Sequence, residues 1–110
     1  MSAEPQDNSM GGNLPEDAAA AATVKRIVKI CNQKGLHARA AARFVKTAHQ
    51  FEAEIWVRKN GTIVSGRSIM GLMMLAAASG VELQISAAGP DADSAVETLA
   101  RLVECKFDED

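Results

Sequence analysis

The sequence predicts an α+β domain, an open-faced β-sandwich of order β-α-β-β-α-β-α, in which a four-stranded, mainly antiparallel sheet carries three helices on one face. Three observations predict it. Apolar residues alternate with period two in four short segments, recur at helical spacing in three others, and an Asn60-Gly61 pair separates the second and third strand-like runs. A single sheet covered on one side is the simplest way to bury all of these apolar faces.

The first strand is read in "VKRIVKI", residues 24 to 30, with Val24, Val28 and Ile30 on one face and Lys25, Ile27 and Lys29 on the other. The period then changes. In "HARAAARFVKTAH" the residues Ala41, Phe44, Val45 and Ala48 form a helical stripe, while Arg39, Arg43 and Lys46 fall on the solvated side. "AEIWVRKNGTIVS" reads as strand, turn, strand. Ser68 stands before "IMGLMMLAAAS", which predicts a second helix capped by that serine and ending near Ser79-Gly80. Leu72, Leu75 and Met73 can serve the core there, and Ile69, Met70 and Met74 exceed one narrow stripe, so some of them should meet solvent. "VELQISAA" alternates with Val81, Leu83 and Ile85 inward and Glu82, Gln84 and Ser86 outward. After Gly89-Pro90, Asp91 or Asp93 can cap a last helix whose stripe is Val96, Leu99, Val103 and Phe107.

The chain of 110 residues suffices for one ordinary domain. Residues 1 to 23 contain Glu4, Asp7, Glu16 and Asp17, no lysine or arginine, and few large apolar groups, and are read as a flexible acidic N-terminal extension. Residues 24 to 110 are read as the folded domain. The formal charge is −2, yet without those four acids 12 basic residues face 10 acidic ones, so the extension masks a slightly basic domain. No secretory leader and no run of about 20 apolar residues is found, and the cytoplasm is the expected compartment. Cys31 and Cys105 lack metal-site spacing and are expected to be buried thiols. A single tryptophan, no tyrosine and few basic residues argue against nucleic-acid binding.

The chemistry centres on "QKGLHARAAARF", residues 33 to 44. If a helix begins at His37, its first amides lack intrahelical acceptors and stabilise an anion placed beside them. A phosphoryl group on the imidazole fits, with Arg39 meeting its oxygens and Gly35 keeping the approach turn narrow. The helix terminus also disfavours a protonated ring, leaving a nitrogen lone pair for attack on phosphorus. The lysine, metal-binding carboxylates and long glycine-rich loop of a nucleotide-using kinase are missing, so the group would come from a partner. An ordinary turn histidine with a solvated Arg39 fits the same spacing. His49, near the end of that helix, is read as structural.

"GLHARAA" (35 to 41) together with "SGRSIMGLMMLAAASG" (65 to 80) resembles the HPr family of phosphocarrier proteins, over about residues 24 to 107. The resemblance implies the same β-α-β-β-α-β-α sandwich, with His37 as phosphoacceptor on Nδ1 and Arg39 assisting it. It implies Ser68 as a site of regulatory phosphorylation by an HPr kinase/phosphorylase. It also implies a docking patch of Ile69, Met70 and Met73 with Arg39, Arg43 and Lys46 as its charged rim. The partners implied are enzyme I as donor and enzyme IIA proteins as acceptors, with no cofactor, no metal, no nucleic acid and no membrane insertion, the carrier itself being a monomer. Sugar transport or carbon regulation is the role implied, and a regulatory paralogue serving nitrogen or metabolic control is the alternative. The chain departs from the family pattern at Ala40, where proline is usual, and at Lys34, where a small polar residue is common.

Overall fold

The computed structural model describes residues 24–109, so the expected acidic extension of residues 1 to 23 lies outside the described residues. The elements are β1 (Val24–Lys29), α1 (Ala38–Ala48), β2 (Glu54–Lys59), β3 (Thr62–Ser65), α2 (Ile69–Met74), β4 (Glu82–Ala88) and α3 (Ala92–Glu104), followed by a single turn at Lys106–Asp108. The strands make one sheet in the order β1-β4-β2-β3 with every pairing antiparallel. The three helices cover one face, giving the predicted open-faced sandwich.

Alternation sets the register. Val28, Ile55, Val57, Leu83, Ile85 and Ala87 point to the helix side and are buried against Ala41, Phe44 and Ala48 of α1, Leu72 of α2, and Val96, Leu99 and Val103 of α3. On the open side, Ile27, Gln84, Arg58 and Ile63 line up across all four strands, as do Lys25, Ser86, Trp56 and Ser65. Ser86 was expected outward and is on that side, yet it is buried, flanked in the ladder by Lys25 and the half-buried Trp56. Of the two edge strands β3 is short and β1 carries Lys25, Arg26 and Lys29, which opposes edge-to-edge pairing.

Four expectations need correction. First, α2 stops at Met74 instead of reaching Ser79. The Leu75 and Ala76 amides donate to the Leu72 and Met73 carbonyls, tightening the last turn, and the Lys59 ammonium takes the Leu75 carbonyl at 2.8 Å. Ala76 then adopts φ +51°, and the next residues hold the loop before α1: Ala77 accepts from the Leu36 amide at 2.9 Å, and the Gly80 amide donates to Ile30 at 2.7 Å. Second, Phe107 is buried but lies outside α3, which ends at Glu104. Third, Asp91 is the N-cap of α3 and its carbonyl accepts from the Ala95 amide at 2.8 Å, but its side chain does not cap the helix, because the carboxylate accepts from the Glu52 amide at 2.7 Å. Fourth, Cys31 and Cys105 are exposed free thiols, standing just beyond the ends of β1 and α3, where neither side chain enters the core.

Candidate functional site

The loop from Cys31 to Leu36 carries the chain from β1 to α1, and its shape depends on Gly35 at φ +68°. A Cβ there would stand 2.5 Å from the Ala77 carbonyl oxygen, so the loop lies against the segment after α2 in a way only glycine permits. The Gly35 carbonyl accepts from the His37 amide at 2.9 Å and from Asn32 Nδ2 at 2.8 Å.

His37 is the N-cap of α1, with extended φ/ψ of −80° and −178°, and its carbonyl accepts the first helical bond from the Ala41 amide at 2.8 Å. Its side chain makes no capping bond. Among the described residues the amides of Ala38, Arg39 and Ala40 have no backbone acceptor, which leaves an unsatisfied, partly positive helix end beside the imidazole. Ala40 is buried, so this position in the first turn of α1 packs into the core.

One ring nitrogen of His37 is already engaged. Nε2 lies 2.5 Å from Glu109 Oε2, and the second oxygen of that carboxylate accepts from Asn32 Nδ2 at 3.1 Å. Partial burial works against ionising Glu109, but the hydrogen bonds from His37 and Asn32, with the positive charges of His37 and Lys34, outweigh it and hold the carboxyl below the ordinary glutamate range. Beside this cluster opens a cleft of about 630 Å³ lined by the cations Lys34, Arg39, Arg43 and Lys106 and the carboxylates Asp108 and Glu109. The excess of cations suits an anionic group. Arg43 is partly neutralised by Asp108 at 3.3 Å, whereas Arg39 has no ion pair among the described residues. No group of three metal-ligating side chains occurs among the described residues.

Of the residues the sequence singles out, the fold gathers His37, Arg39 and Arg43 at the first turns of α1 and sets beside them Asn32, Lys106 and Glu109, which the sequence does not single out. Lys46 is in the last turn of the same helix, about 13 Å along its axis from His37 at 1.5 Å per residue, and takes no part in the cleft. Ser68 is the N-cap of α2, its hydroxyl accepting from the Gly71 amide at 2.9 Å. Behind it the rows Ile69/Met73 and Met70/Met74 face outward, with Met70 and Met74 each about three-quarters exposed, at 74% and 77%, while Leu72 and Leu75 point inward. Met73 thus joins the exposed group and not the core. His49 is the C-cap of α1, away from the cleft. No helix among the described residues is long and apolar enough to cross a membrane.

Comparison with known proteins agrees with this geometry. Residues 24–105 match the family model described as the PTS HPr component phosphorylation site. The phosphocarrier protein HPr of Neisseria meningitidis is 46% identical over 86 residues, covering 78% of this chain and 97% of the relative. The phosphocarrier protein NPr of Shewanella violacea is 41% identical over 86 residues, covering 78% and 94%. A crystal structure of HPr from Thermoanaerobacter tengcongensis superposes with a TM-score of 0.77 at 42% identity, over 80% of this chain and 99% of that one. The chain belongs to the HPr family, the phosphocarriers of the phosphotransferase system that relay phosphoryl groups on a histidine.

Proposed function

We propose that His37 is the carrier residue, accepting on Nδ1 the phosphoryl group of the enzyme I phosphohistidine and passing it to a histidine of an enzyme IIA protein in the cytoplasm. The observation that carries this reading is the imidazole at the N-cap of α1, beside three amides that have no backbone acceptor, and the Arg39 guanidinium that has no ion pair, among the described residues. In transfer the Nδ1 lone pair forms the N–P bond as the donor's N–P bond breaks and its electron pair returns to the donor ring. Arg39 and the α1 amides neutralise the phosphoryl oxygens during the exchange. Residues 24 to 110 act as the carrier domain, with residues 1 to 23 as an acidic extension outside it.

Ser68 is the regulatory position, modified by an HPr kinase/phosphorylase. Ser68 is partly exposed at a helix start, and Ile69, Met70 and Met73 next to it, with Arg39, Arg43 and Lys46, form the docking surface for donor and acceptor. Methionine side chains suit a face that must fit several partners. A phosphate on Ser68 adds about two negative charges to this surface and weakens docking of an acidic donor. The relay is tested with phosphoenolpyruvate, enzyme I and an enzyme IIA: the wild type passes phosphate onward, H37A does not, and a chain stoichiometrically phosphorylated on Ser68 accepts more slowly at subsaturating donor. Equal acceptance by the Ser68-phosphorylated chain across donor concentrations refutes the regulatory part.

A further inference from the structure

The residues after α3 belong to no strand or helix face, yet they are held firmly against the site. Phe107 is completely buried, Asp108 pairs with Arg43 at 3.3 Å, and the amides of Asp108 and Glu109 donate to Cys105 and Lys106 at 3.0 and 2.9 Å. Lys106, Phe107 and Asp108 have φ of +59°, +55° and +61°. Three consecutive left-handed residues without a glycine persist only where the surroundings impose them. The result of that reversal is to bring the Glu109 carboxylate back to His37 and Asn32.

We propose that Glu109 is a positioning residue for phosphoryl transfer, its carboxylate taking the Nε2–H of His37 and holding the ring in the tautomer whose lone pair is on Nδ1. The proposal rests on the reading of His37 as the phosphoacceptor. An ionised carboxylate only accepts hydrogen bonds, so at 2.5 Å Nε2 must carry the proton, and a neutral imidazole then has its lone pair on Nδ1. Asn32 fixes the carboxylate in turn. Its Nδ2 donates both to Glu109 Oε1 and to the Gly35 carbonyl, two acceptors that determine which way the buried amide points.

The same contact serves after transfer. When Nδ1 bonds to phosphorus the ring keeps its Nε2–H and gains positive charge, which the Glu109 carboxylate offsets. When Nδ1 releases the group to an acceptor, the bonding pair returns to Nδ1 and no proton has moved. Metal-ligating histidines held from behind by a carboxylate in the same way lose about 10- to 100-fold in metal affinity or activity when that partner is removed, and that scale is carried over to the transfer rate here.

The test uses the full chain with 15N-labelled histidine. Two-bond 1H–15N correlations at a pH where the ring is neutral report the tautomer, and single-turnover phosphorylation by enzyme I reports the rate. The wild type should show His37 as the Nε2–H form, E109A a tautomer mixture with transfer slowed about 10-fold or more, and E109Q, whose amide oxygen still accepts the proton, recovery of the tautomer and part of the rate. An unchanged tautomer or an unchanged rate in E109A overturns the proposal. A wild type that shows the Nε2–H form but takes no phosphate on His37 instead overturns the carrier assignment.

Discussion

Replacing Gly35 by alanine perturbs the one backbone position that both shapes the His37 loop and abuts the segment after α2. At φ +68° an L-residue costs about 1–2 kcal/mol. The new Cβ would also lie 2.5 Å from the Ala77 oxygen and 3.0 Å from the Ala78 Cα, both backbone atoms that must yield. Moving Ala77 loosens its bond from the Leu36 amide, worth about 1 kcal/mol. Alanine also restricts the unfolded chain, which returns about 0.4–1 kcal/mol. The balance is a loss of about 2 kcal/mol, equivalent to a fall in Tm of roughly 8–16 °C for a domain of this size. Urea denaturation should show a lower midpoint at unchanged slope, and single-turnover acceptance from enzyme I should slow, because Gly35 also receives bonds from His37 and Asn32. A G35A protein within 0.5 kcal/mol of the wild type, a margin set by typical mutational scatter, would refute the argument that close approach and handedness hold this loop.

Ala76 carries the opposite expectation: it is left-handed at φ +51° but exposed, so A76G should raise stability by about 0.5–1 kcal/mol in the same denaturation assay, and a loss would contradict it. S68A removes the hydroxyl that accepts from the Gly71 amide and should cost about 1 kcal/mol, read as a lower Tm, while phosphoryl acceptance at His37 stays within about twofold since the Ser68 hydroxyl, at the start of α2, takes no part in the transfer. Because the Glu109 carboxyl is held below its ordinary value in the folded chain, its contacts contribute stability in full above the unfolded glutamate range and lose it as pH falls through the lower folded value. A carbon-detected titration of Glu109 should therefore have a midpoint below that of an ordinary exposed glutamate, and a midpoint at or above the ordinary range would argue against the pairing with His37 and Asn32.

The fold was largely legible because each strand and helix buries a face with its own period, from Val28 and Ile30 to Val96, Leu99 and Val103. The alanines after Leu75 misled for a physical reason. Their helix propensity is high, but Lys59 takes the carbonyls at the end of α2 and the segment bonds instead to Ile30 and Leu36. His37, Arg39 and Gly35 were visible since one short stretch holds a helix start, a turn glycine and a cation. Glu109 and Asn32 were not, because 77 residues separate them and a left-handed turn without glycine leaves no local mark. Cys31 and Cys105 were expected to be buried because their spacing suits no metal site, but spacing carries no burial signal and both stand at element ends where side chains reach solvent.

Mapping the phosphate itself tests the central claim most directly, since His37 and His49 are the two histidines of the chain. After incubation with phosphoenolpyruvate and enzyme I, intact-mass and 31P–15N measurements should find one acid-labile phosphate on Nδ1 of His37, retained in H49A and absent in H37A. A phosphate on His49, or on Nε2 of His37 where Glu109 now sits, would contradict the account.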